Sequence, residues 1–138
     1  MGIAINIPKN HKLIEFVQDT YVQFSIVNTK NSEQFAHIIV KRLNHYIYYV
    51  NYVRAPHGYG PFLYDTAMRY LSRHGCYVIS NKEASRKYGI HGQTSEDAQH
   101  VWDYYKNHRP DVSRSKQGYY MLKHWEQYYN EGLNFKLS

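Results

Sequence analysis

Cysteine is nearly absent from this chain: Cys76 is the only one in 138 residues. With no second thiol there is no internal disulfide, and the pattern predicts a protein of a reducing compartment. Long apolar runs are missing too. No stretch of eighteen apolar residues occurs, so no membrane-spanning helix is predicted. The opening MGIAINIPKNHKL lacks a basic segment leading into an apolar one, and no secretory signal is expected. Asn6 also stands where a myristoylated Met-Gly start wants Ser or Thr. The nine histidines are scattered, with no His-x-His or His-x-x-x-His pair, which argues against a zinc site. Internal repeats and low-complexity tracts are absent. Acidic residues are few, 11 against 17 Lys plus Arg, for a formal charge of +6.

What is abundant is tyrosine, at 16 residues. A basic surface carrying aromatics suits single-stranded nucleic acid, through phosphate attraction and base stacking, although no recognised nucleic-acid motif occurs. It equally suits a phosphorylated cofactor or an acidic protein partner. The plain alternative is that tyrosines fill half-buried strand positions and the charge aids solubility. At this length residues 1–138 form one domain with a single core.

Along the chain, residues 11–20 carry Leu13, Ile14, Phe16 and Val17 in a short helical pattern. Residues 21–27, 35–43 and 44–53 read as strands, with a polar hairpin turn, NTKNSEQ, after the first. Then the period changes. Pro61 suits the first position of a helix carrying Leu63, Ala67, Tyr70 and Leu71, and Gly75 suits its left-handed C-terminus. CYVIS (76–80) reads as a buried strand, completing a βαβ-like unit whose strands should be parallel neighbours. NKEASRKYGIHGQ reads as a basic loop. Thr94 or Ser95 can cap the next helix, whose buried face is Ala98, Val101, Trp102 and Tyr105 and which Pro110 stops. Residues 112–118 read as a polar linker, followed by a short helix and a terminal strand from Leu133 to Leu137. The predicted fold class is α/β (α+β), with a mixed, mainly antiparallel sheet flanked by helices.

The turn APHGYGPF, between strand and helix, holds two glycines one residue apart. Backbone amides at a helix N-terminus, near the positive end of the helix dipole, suit a phosphate, and glycine lets the ligand approach them. The turn is not a Walker loop, since no Gly-Lys-Ser/Thr follows, nor a dinucleotide fingerprint, since the third glycine is missing. A tight turn with no ligand accounts for the glycines equally well. His57, in the same turn, is a candidate for phosphate contact or for a base.

From here the chain resembles the GCN5-related N-acetyltransferases (GNAT), and in wording the acetyltransferase-like proteins of bacteriophages. Their pyrophosphate loop, Gln/Arg-x-x-Gly-x-Gly/Ala, opens a helix, and a strand and an Asn-x-x-Ala-x-x-φ-Tyr helix follow. Here these match Ala55 to Gly60, then CYVIS, then Ser95-x-x-Ala98-x-x-Val101-Trp102, with the resemblance covering about residues 35–112. The resemblance implies a GNAT-like sheet split where strand 44–53 parts from strand 76–80. It implies acetyl-CoA, with pyrophosphate on the amides of Gly58, Tyr59 and Gly60 and pantetheine along Tyr52, Val53 and Arg54. The acceptor would be a protein or small-molecule amine, attacked directly, with the protein in the host cytoplasm or the virion. Trp102 occupies the general-acid position, so Tyr105, one turn on, and Tyr104 are the catalytic candidates, with Glu83 or Asp65 as base. A second reading follows from Trp102 and Ala55: a binding or virion-associated protein that keeps the fold without the chemistry and meets a phage or host protein partner.

Overall fold

A computed structural model describes residues 7–56, 58–90, 96–116 and 120–122. Among these residues seven strands form one sheet: β1 (His11–Val17), β2 (Tyr21–Asn28), β3 (Gln34–Arg42), β4 (Ile47–Arg54), β5 (Tyr77–Ile79), β6 (Val112–Arg114) and β7 (Tyr120–Leu122). Their order is β1-β2-β3-β4-β5-β7-β6. Each neighbouring pair is antiparallel except β4 and β5, which are parallel. Three helices accompany them among the described residues: α1 (Gly60–Arg73), α2 (Asn81–Tyr88) and α3 (Glu96–His108).

Strand alternation divides the apolar residues between two faces. Val22, Phe24 and Ile26 of β2, Ala36, Ile38 and Val40 of β3, and Tyr48 and Val50 of β4 join one buried cluster with Phe62, Leu63, Ala67, Met68 and Leu71 of α1. The opposite face has a smaller cluster, Ile47, Tyr49 and Ile79 with Ala84 of α2. The two helices therefore cover opposite faces. Trp102 of α3 packs edge-on against Tyr64 of α1 (ring centroids 5.4 Å) and tilts over Tyr120 of β7 (4.8 Å). Helix α1 is thus enclosed by sheet on one side and α3 on the other, which is why residues 62–68 are all buried.

Two helix ends follow from local chemistry. At the end of α1, Gly75 at φ +71° lets Cys76 N–H reach Leu71 O (2.8 Å) and Gly75 N–H reach Ser72 O (3.0 Å), a Schellman closure. At the start of α2, Ser80 Oγ accepts from Glu83 N–H (3.1 Å), and Gly89 at φ +69° ends the helix.

Four expectations are corrected. Residues 11–17 are strand rather than helix: four apolar residues are too few for a helical face, and pairing with β2 through seven residue pairs satisfies the backbone instead. Residues 81–88 are helix α2 rather than loop, held by the Ser80 cap and by Ala84 packing on the sheet. Part of the expected linker, Val112–Arg114, is β6, zipped to β7. Helix α1 starts one residue earlier than expected, with Gly60 first and Pro61 second. The proposed caps Thr94 and Ser95 and the terminal strand Leu133 to Leu137 lie outside the described residues.

Candidate functional site

The site is set by the parallel pair of β4 and β5. β4 and β5 pair through Ile47–Tyr77, Tyr48–Val78 and Tyr49–Ile79, after which β5 ends and β4 continues for five residues beside β3. From β4 the chain enters α1 on one face, and from β5 it enters α2 on the other. Adjacent parallel strands whose helices leave to opposite faces open a crevice at their carboxyl ends, where open α/β sheets bind ligands. Just past the last paired residue, β4 is bulged: Val40 faces Val50 and Ile39 faces Tyr52, leaving Asn51 as the extra residue.

Asn51 is held from two sides. Its Oδ1 accepts from Tyr49 Oη (3.3 Å), and its main-chain oxygen accepts from Asn81 Nδ2 (3.4 Å) at the first residue of α2. Asn81 Oδ1 is buried with no hydrogen-bond partner. A buried amide oxygen without a donor is costly, and at the mouth of a crevice it suits a ligand N–H.

On the α1 side the glycine turn forms as the sequence indicates. Gly58 takes φ +88°, a conformation glycine adopts without strain. Gly60 takes no such φ, and a Cβ built on either glycine meets nothing within 4 Å. Neither packing nor backbone conformation therefore requires glycine at Gly60. The absent side chain leaves open space at the N-terminus of α1. Tyr59 N–H donates to Pro56 O (3.1 Å), which commits that amide to the turn, and the Tyr59 ring packs edge-on against Phe35 (5.0 Å). His57 lies outside the described residues.

The other expected residues divide. Tyr52 is 51% exposed, stacked beside His37 of β3 (5.3 Å), while Val53 turns to the core and Arg54 is exposed at the strand end. His37 sits opposite Arg54. Burial, then the Arg54 charge, hold its ring pKa below the usual histidine value, and its Nδ1 has no partner. It is therefore a neutral base near pH 7. Glu83 pairs with Arg86 within α2 (2.8 Å). Tyr104 is exposed on α3 beside His108.

Tyr105 shares a face with Trp102, as the spacing implied (6.0 Å), but it is 1% exposed. Burial above all, then the Asp65 charge, push its phenol well above the ordinary value, and its Oη has no partner. A hydroxyl sealed in the core has no path to substrate. Asp65 is likewise not a base: buried in α1, it accepts from Arg109 Nη1 at 2.8 Å. Sequence reading missed Tyr88, Asn81 and the bulge at Asn51. Tyr88 ends α2 one turn after Ala84 and is 39% exposed, so it meets solvent where Tyr105 does not. The signals for α2 were present, a capping box Ser80-x-x-Glu83 and Gly89 after the last turn.

The chain has no significant match among protein-family models, curated proteins or solved structures. Among the described residues no helix is long and apolar enough to cross a membrane, and no group of three His, Cys, Asp or Glu converges as for a metal.

Proposed function

We propose that this protein is an acetyl-CoA-dependent N-acetyltransferase of the GNAT type, akin to the phage-encoded proteins that its sequence resembles. The observation that carries the reading is the crevice where β4 and β5 part, with the open glycine turn on one side and α2 on the other. The sheet order and the parallel pairing of β4 with β5 support the GNAT-like reading of the fold. So does α2, which directly follows β5 and meets the family's Asn-x-x-Ala-x-x-φ-Tyr pattern at Asn81, Ala84 and Tyr88, with Lys87 as the departure at φ.

The residues fit the group. Gly58 and Gly60 leave open space where side chains would stand, so pyrophosphate oxygens can approach the backbone of the turn, and Arg54 adds positive charge nearby. Asn81 Oδ1 offers an acceptor for an amide N–H of the pantetheine arm. Acetyl-CoA supplies an acetyl thioester, in which an amine nitrogen replaces sulfur at the carbonyl carbon. The chain's part is positioning and proton traffic. With acetyl-CoA bound, Tyr88 would be the acid for the departing sulfur, and neutral His37 the base for the proton that the amine gives up.

The test is acetyl transfer to a panel of amines, read as thiol release, for the parent and Tyr88→Phe. A fall in kcat of roughly 10²-fold with unchanged KM for acetyl-CoA supports the role of Tyr88. The degenerate-fold reading has one observation in its favour: only residues 18–20 join β1 to β2, leaving no helices there to shape an acceptor groove. Cofactor binding without turnover on any amine would favour it.

A further inference from the structure

The end of the sheet farthest from the glycine turn carries a second constellation. Helix α1 is 14 residues long, which sets its C-terminus roughly 20 Å from Gly60. There the β3–β4 turn, the end of α1 and the start of β5 meet. Tyr77 N–H donates to Tyr46 O (2.6 Å), and Cys76 Sγ lies 3.6 Å from the carbonyl oxygens of both His45 and His74.

Two arginines lie at this end, Arg42 and Arg73, with His45 and His74 beside them. The Arg42 guanidinium lies over the Tyr48 ring and that of Arg73 over the Tyr70 ring, each 5.7 Å from the centroid. His74 stacks on the other flank of this cluster, its ring 4.4 Å from that of Tyr70. Tyr46 is 67% exposed. Neither arginine has a carboxylate partner among the described residues, and Arg73 Nη1 is buried with no hydrogen bond. The nearby acids are Glu15, whose charge reaches Tyr70, and Asp19, next to Thr20, whose carbonyl accepts from Arg42 N–H (2.8 Å). The helix dipole accounts for a cation at the end of α1, which is Arg73, but not for Arg42 on a strand.

We propose that this patch binds single-stranded nucleic acid. A guanidinium held over a tyrosine ring has its motion restricted by the ring and can still turn N–H groups to a phosphate. The exposed ring of Tyr46 is a stacking platform, and it needs an unpaired base, because a duplex keeps its bases stacked on each other. Phosphate attraction brings the strand in, and stacking selects single over double strands. This site is independent of the cofactor crevice.

The experiment is fluorescence anisotropy with a labelled oligothymidylate of about fifteen nucleotides. It uses the parent, Tyr46→Ala, and Arg42→Gln combined with Arg73→Gln, with near-ultraviolet circular dichroism confirming that each variant is folded. Expected are binding at about 50 mM salt that weakens steeply by about 200 mM, and a double variant at least ~10-fold weaker with a salt slope smaller by about 1.4. Tyr46→Ala should weaken binding by about 5-fold or more, in keeping with loss of one stacked base. A folded parent that leaves the probe unbound at low salt overturns the proposal. So does binding that neither variant weakens, or a duplex of the same length bound as tightly as the single strand.

Discussion

Asn81, the first residue of α2, donates from Nδ2 to the main-chain oxygen of Asn51, 3.4 Å away, across the place where β4 and β5 cease to pair. The bond ties the bulged strand to the helix on the second face and leaves Asn81 Oδ1 buried without a donor. Replacing Asn81 with Ala removes both the tie and the acceptor. Acetyl-CoA should then bind about 10-fold more weakly, the equivalent of one hydrogen bond of ~1.4 kcal/mol. A calorimetric Kd equal to the parent's would remove Asn81 from the site.

Tyr105→Phe is expected to leave acetyl transfer unchanged, because the phenol lies in the core. Its hydroxyl has no hydrogen-bond partner, so removal should be neutral or stabilise the fold by up to about 1 kcal/mol. Thermal unfolding of the variant checks this. A loss of more than ~2 kcal/mol would mean that the hydroxyl has an essential partner.

Arg109 joins α1 to the start of β6. It donates to Asp65 Oδ1 from Nη1 and to Asp111 from Nε and Nη2, each at 2.8 Å. Arg109 and Asp65 side chains are only 5% and 1% exposed, so Arg109→Met takes this counter-charge from a buried carboxylate and should cost about 3–5 kcal/mol. The double variant with Asp65→Leu should recover much of that loss. Recovery below ~0.5 kcal/mol in urea denaturation would deny the coupling.

Asp111 adds a pH signature to the same network. Burial works to raise its pKa, but the charge-assisted bonds it accepts, those of Arg109 foremost, hold it at about 2 against an ordinary 3.8. A carboxylate depressed on folding contributes stability that is complete above the ordinary value and lost as pH falls through about 2. The melting temperature of the parent should therefore fall between pH 4 and pH 2 more steeply than that of Asp111→Asn. Parallel curves would contradict the assignment.

His37 gives the catalytic reading a pH test. Burial and the Arg54 charge lower its pKa, and the neutral ring is the active form, so kcat/KM should decline only as pH falls below the usual histidine range. Arg54→Gln removes one lowering influence and should move that acid limb upward. An acid limb unchanged in Arg54→Gln, or retained in His37→Gln, would assign the proton elsewhere.

The sheet's middle was legible in the sequence because β2, β3 and β4 are dense in β-branched and aromatic residues, and α1 because its apolar period is bracketed by Pro61 and Gly75. β1 was not, since Leu13, Ile14, Phe16 and Val17 fit either period and tertiary pairing decided between them. Helix α2 was hidden by its own polarity: Ala84 is its only fully buried residue, so apolar periodicity is silent and only the cap at Ser80 marks it. That omission carried the candidate tyrosine to α3, where Tyr105 turned out to be core. The glycine turn was legible, but the bulge at Asn51 depends on the pairing of two strands and leaves no local mark.

Whether the glycine turn cradles acetyl-CoA is decided by calorimetry on the parent and Gly60→Val. A Cβ at Gly60 meets nothing in the free protein, so the variant should melt at the parent's temperature. The account predicts roughly micromolar binding by the parent and at least ~10-fold weaker binding by the variant. A well-folded parent that does not bind, or a variant that binds as tightly, would contradict it.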